Sequence, residues 1–244
     1  MTASLDPYFI KPSRRDTTLF AAAQICGKKV LQEDFFINSN DECIAVSDGV
    51  GTLPHGDVAS RLACETAMWG YKQIKPLDTY RNDRKELLKR IFRSTNIAVW
   101  QKQREAEYKD GMAATLTVVM VGSHNVWIGA LGDTAAYFWH EGVITKITSD
   151  DGDSGGFLTK SIGRERYGVI PQVYTYDFAP GDMVVLATDG LARFVSEREM
   201  VTIVSQCGSN AQSMADAVAL LLQAGEKNGS EDNMTACILK RIRS

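Results

Sequence analysis

The chain is short of the residues that build disulfide-stapled or zinc-clipped scaffolds. Its 244 residues hold five cysteines and three histidines. Cys26, Cys43, Cys64, Cys207 and Cys237 are odd in number, far apart and without a CxxC pair, which excludes both a zinc clip and a disulfide framework. Most sit in apolar surroundings and read as small buried hydrophobes of a reducing compartment. An excess of positive charge is also missing. The formal net charge is -3, and the basic stretches at 85–93 and 102–104 are interleaved with Glu86, Glu105 and Glu107, the pattern of a solvated helix face. No nucleic-acid footprint results. Long apolar runs are absent too: the longest, near 116–121, is far too short to cross a bilayer. Residues 1–16 lack the apolar stretch of a secretory signal. The expectation is a cytoplasmic monomer with neither nucleic acid nor membrane as partner.

What is present suits a packed globular chain, with 44% hydrophobic and 23% charged residues. No repeat or long linker interrupts it, so one domain over 1–244 is expected, with 1–15 as a loose lead-in. Strands are predicted at 19–25, 34–37 and 43–47. A helix over 57–74 places Ala59, Ala63, Ala67, Gly70 and Ile74 on one face, small enough for close packing on a sheet, and Pro76 ends it. A second, longer helix is predicted from Asp83 to about Tyr108, with Leu88, Ile91, Phe92, Thr95 and Val99 inward. A meander of four strands follows at 114–121, 125–131, 135–139 and 143–147, turned at 122–125 and 140–142. A glycine-rich break at 150–156 follows, and residues 169–178 lead to the turn pair Pro180-Gly181 and a strongly apolar strand at 183–187. Helices are predicted at 196–207, opened by a Ser196/Glu199 capping box, and at 210–226. A strand at 235–239 completes the order. Helices grouped between antiparallel strands argue for a layered α+β fold rather than a doubly wound sheet.

Acidic residues recur at the ends of these apolar runs: Glu33-Asp34, Asp48-Gly49-Val50-Gly51, Gly132-Asp133-Thr134, Thr188-Asp189-Gly190 and Glu231-Asp232-Asn233. Each alone reads as an ordinary turn, because Asp-Gly and Asp-Asn pairs favour turns. Carboxylates brought together on rigid strand ends would repel unless cations neutralised them. That combination points to hard divalent ions and so to phosphate chemistry.

In order along the chain, these segments resemble the metal-dependent serine/threonine phosphatases of type 2C (PPM). The likeness spans residues 27–239. It includes Gly27 to Asp34, with a basic residue ahead of Glu-Asp, and Asp48-Gly49-Val50-Gly51 with Gly56-Asp57 after it. Ala113-Ala114-Thr115, Gly132-Asp133-Thr134, Thr148-Ser149-Asp150-Asp151, Ala187-Thr188-Asp189-Gly190 and Asp232-Asn233-Met234-Thr235 continue it. The resemblance implies a four-layer α-β-β-α sandwich, two antiparallel sheets flanked by helix pairs, with a binuclear metal site at one end. It implies two Mn²⁺ or Mg²⁺ ions, or three. Asp48 would bridge the first two, Asp189 and Asp232 would complete the first ion's shell, and the Gly49 carbonyl would bind the second. Glu33 and Asp34 would hold that ion's waters, and Asp133 with Asp189 would serve a looser third ion. Lys29 would take the substrate phosphate, where the family usually has arginine. A water bridging the metals would attack phosphorus, with no protein nucleophile.

The implied substrate is a phosphorylated protein, a serine/threonine kinase or its targets. Departures include the absence of histidine at Val50 and Leu53, with His55 nearby but offset. The segment at 152–157 is too short for the family's flap, which would leave the site open. Two alternatives stand beside this reading: a silent phosphoprotein-binding regulator of the same fold, and a phosphatase for a non-protein phosphoester.

Overall fold

A computed structural model describes residues 14–15, 18–75, 83–153 and 157–243. Pro76, most of the 1–15 lead-in and the centre of the shortened flap lie outside these residues. The chain divides into two compact units, each assembled from interrupted segments.

One unit comprises residues 33–135 and 148–177. Its strands are β3 (Asp34–Ser39), β4 (Cys43–Asp48), β5 (Leu116–Val121), β6 (Asn125–Leu131) and β9 (Gln172–Asp177), antiparallel in the order β3-β4-β5-β6-β9. Helix α1 (Gly56–Ile74) and helix α2 (Arg84–Lys102) pack on each other and on this sheet. Cys43 pairs with Met120 and Ala45 with Val118, so these side chains share one sheet face with Leu116. They form a single core with Ala59, Ala63 and Ala67 of α1 and with Leu88, Ile91 and Phe92 of α2. Burying each large aliphatic or aromatic chain contributes about 1.5–3 kcal/mol. Small residues on α1 bring its backbone close to the sheet. On α2, the close approach comes from the strand side, because a Cβ at Gly129 would lie 2.8 Å from the Phe92 ring.

The other unit comprises Met1–Gln32, Ala136–Ile147 and Phe178–Ser244. Its sheet runs β1-β2-β11-β10-β7-β8, built from β1 (Arg14–Arg15), β2 (Thr18–Ile25), β7 (Ala135–His140), β8 (Val143–Lys146), β10 (Met183–Ala187) and β11 (Met234–Arg241). A one-turn helix α3 (Asp189–Ala192) follows β10, and α4 (Glu197–Val204) and α5 (Ala211–Lys227) follow in turn. Met214, Ala217, Val218, Leu221 and Leu222 of α5 are buried, and the helix packs on β2 and β11. The predicted capping box is present: Glu199 N–H donates to Ser196 Oγ, and Ser196 N–H donates to Glu199 Oε2.

Two expectations need correction. The predicted meander is divided: β6 pairs with β9, whereas β7 pairs with β8 and neighbours β10. Gly132, at φ +103 and pressed against Thr115, turns the chain out of its sheet after β6, so no hairpin returns to that edge. The second helix stops at Lys102 and is no longer than the first; a three-residue 3-10 turn, Ala106–Tyr108, follows. Beyond Val99 the chain offers polar side chains to the core side. Gln103 instead donates to the Gly163 carbonyl at 2.5 Å.

Candidate metal centre

In the first unit, antiparallel pairing sets Asp34 directly opposite Asp48 at the end of the β3-β4 ladder. Asp34 is only 2% exposed, and Asp48 is half-buried. The backbone of Asp48 is fixed from both sides by Thr115. Its N–H donates to Thr115 Oγ1 at 2.9 Å, and its carbonyl accepts from the Thr115 N–H at 2.8 Å. Thr115 Oγ1 also meets Thr134 Oγ1 at 2.6 Å, and Ser47 Oγ donates to the Thr115 carbonyl. A buried hydroxyl network therefore lies beneath the acid.

Gly49 follows, with its N–H on the Glu33 carbonyl at 3.0 Å. A Cβ at Gly49 would run into the backbone of Gly56. At Gly56, in turn, a Cβ would come within 2.6 Å of Glu33 Oε1. The two glycines thus let the loop fold onto itself and seat the Glu33 carboxylate. Asp133 is half-buried on the turn that leaves β6. That turn is clamped by Asp151, which accepts from Gly132 N–H at 3.1 Å and ion-pairs with Lys160 at 2.7 Å.

In the second unit, Asp189 opens α3 and Asp232 immediately precedes the turn into β11. Thr235 N–H donates to Thr188 Oγ1 at 2.9 Å, and Ser230 Oγ donates to the Gly190 carbonyl at 2.6 Å. Asn233 reaches across to the carbonyls of Cys26 and Leu31 at 2.9 and 3.0 Å, which fixes the turn carrying Lys29. Lys29 Nζ lies 3.1 Å from Asp232 Oδ1, and Arg193 Nη2 lies 3.0 Å from Asp189 Oδ2. Both acids of this unit therefore hold a side-chain cation. Among the described residues, no three His, Cys, Asp or Glu side chains gather into a group able to hold a metal.

The donor set nevertheless suits a hard divalent ion: carboxylates, plus a glycine carbonyl whose neighbour leaves no space for a side chain. Sulfur contributes nothing to it. Cys43 and Cys207 are buried, and burial pushes both thiols up, Cys207 to about 11. His55 caps α1 with a left-handed backbone and packs edge-on against Tyr108 at 5.1 Å.

A family model described as protein phosphatase 2C matches residues 25–236. The chain belongs to the protein phosphatase 2C family. Among relatives, the serine/threonine phosphatase stp of Listeria monocytogenes is 24% identical over 220 residues, covering 83% of this chain and 85% of that protein. The crystal structure of the PstP catalytic domain with two manganese ions superposes with a TM-score of 0.77 at 21% identity, covering 93% of this chain and 99% of that one. A Streptococcus agalactiae serine/threonine phosphatase superposes at 0.78 with 20% identity, over 91% and 99% of the two chains. Sequence reasoning gave no separate role to four residues that fix the acidic side chains or their turns: Thr115, Asp151 and Asn233, quoted only as motif members, and Arg193, whose i,i+4 spacing from Asp189 was the unread signal.

Proposed function

We propose that this 2C-type protein phosphatase removes phosphate from phosphoserine and phosphothreonine with Mn²⁺ or Mg²⁺ held by Glu33, Asp34, Asp48, Gly49, Asp133, Asp189 and Asp232. Family membership supports a divalent-metal enzyme acting on phosphoproteins. When bound, the ions supply Lewis-acid charge that lowers the pKa of a water towards neutrality and draws electron density from phosphoryl oxygens. The residues do the rest. Asp48, Asp189 and Asp232 would hold the ions, the Gly49 carbonyl would add a neutral donor, and Glu33 and Asp34 would orient water.

Lys29 is the cation assigned to the substrate phosphate, as a point charge without arginine's two-pronged grip. Its pairing with Asp232 keeps the ammonium beside a proposed ligand before substrate arrives. The observation that carries this reading is the facing pair Asp34 and Asp48, followed by a glycine with no room for a side chain. The substrate is assigned to a serine/threonine kinase or its targets, and the chain is read as one catalytic domain and a cytoplasmic monomer. No helix of the described residues is long and apolar enough to cross a membrane.

The test is manganese-dependent phosphate release from a phosphothreonine peptide. Wild type is expected to turn over and Asp48→Asn to lose measurable activity. Equal rates in both proteins would sink the assignment. A panel of small phosphoesters run alongside separates a protein phosphatase from an enzyme for other phosphomonoesters.

A further inference from the structure

We propose that Arg193 stands in for the third ion: its guanidinium holds Asp189 and limits this chain to two metals. The inference rests on the reading of Asp189 as a metal ligand. By the family resemblance, Asp189 would serve both the first ion and, with Asp133, a looser third one. Here one of its two oxygens, Oδ2, is taken by Arg193 Nη2 at 3.0 Å. The pairing is not a chance meeting of long side chains. Asp189 is the first residue of α3 and Arg193 its C-cap, so the i,i+4 spacing stacks them on one helix face. The Arg193 N–H also donates to the Asp189 carbonyl at 3.0 Å, tying the two backbones together.

A guanidinium remains protonated at every working pH. Its charge at Asp189 therefore cannot be removed by titration, only by swinging the side chain away. A third dication using the same carboxylate would meet a fixed positive charge at ion-pair range. The first ion meets a smaller obstacle, because Asp189 keeps a second oxygen and Asp48 and Asp232 add charge for it. Lys29 differs from Arg193 in this respect. It reaches Asp232 from a separate turn on a four-carbon stem, whereas Arg193 is tied to Asp189 by a single turn of the same helix. Arg193 thus acts as a positioning residue that sets metal number and keeps Asp189 oriented, rather than as a group that touches substrate.

Manganese stoichiometry, counted by calorimetric titration and by electron paramagnetic resonance of free Mn²⁺, tests this without reference to turnover. Wild type is expected to saturate at two ions per chain, and Arg193→Ala to take up a third, weaker one. Arg193→Lys, which keeps the charge, should stay at two. If Arg193→Ala fails to fold by circular dichroism, Arg193→Gln carries the same expectation of a third ion. Three ions on the wild type, or two on the neutral variant, overturn the inference and leave the proposed function standing. No ion on the wild type would instead bring down the proposed function, and this inference with it.

Discussion

Thr115 is the residue on which Asp48 depends most directly. Its hydroxyl accepts the Asp48 N–H, and its own N–H serves the Asp48 carbonyl. Thr115→Val keeps the shape but strands the Asp48 N–H, which is expected to cost about 1–3 kcal/mol of stability. Because Thr115 supports a proposed metal ligand, its loss should also weaken manganese binding by about 10–100-fold. Melting curves and manganese titrations check the two effects; unchanged affinity would reduce Thr115 to a structural role. A different residue gives a pH signature. His140 Nδ1 lies 2.7 Å from Asp182 Oδ1, and that hydrogen bond, with the carboxylate's charge, raises the imidazole pKa. A raised folded-state pKa means the stabilisation is fully present below the ordinary imidazole value of about 6.5 and fades as pH rises through the folded value. Wild type should therefore melt above His140→Ala at pH 6, with the gap narrowing towards pH 8. A gap that widens with pH would contradict the pairing. At this scale the acidic ligand candidates could be nominated from sequence, since each stands at an end of an apolar run. The contact of Asp151 with Gly132 was not legible, because the two are distant in sequence and nothing local announces it.

At the scale of elements, periodicity located helices and strands well but could not assign strands to sheets. Ala59, Ala63 and Ala67 recur at helical spacing, and all three are buried against the sheet. The split between β6 and β7 depended instead on one glycine's backbone and on β9 taking the open edge. Arg193 escaped notice for a related reason: Asp189 read as the tip of a strand, whereas it begins a helix whose turn delivers the arginine. Packing at this scale gives a sharp prediction. Gly129 on β6 faces Phe92 and Leu88 of α2 at distances that leave no space for a methyl group. Gly129→Ala is expected to destabilise the fold by about 1–3 kcal/mol through overpacking. Urea unfolding should show this as a lower midpoint with an unchanged slope.

For the whole molecule, metal binding should appear as stability. A ligand at about a hundredfold excess over its dissociation constant adds about 2.7 kcal/mol when it binds only the folded state. Manganese is expected to raise the melting temperature, EDTA to reverse the rise, and Asp48→Asn to blunt it. A wild-type melt indifferent to manganese would count against the proposed ligands. All five thiols are free, so reducing agents should leave the melt where it is.

The pairing of β2 with β11 has a consequence for synthesis. Thr18–Ile25 emerges from the ribosome early, yet its neighbour Met234–Arg241 is made only after every other element has appeared. Asp232 arrives with that same closing strand. On the proposed ligand set, a chain stopped upstream of β11 lacks both Asp232 and the strand that pairs with β2, and is expected to hydrolyse nothing.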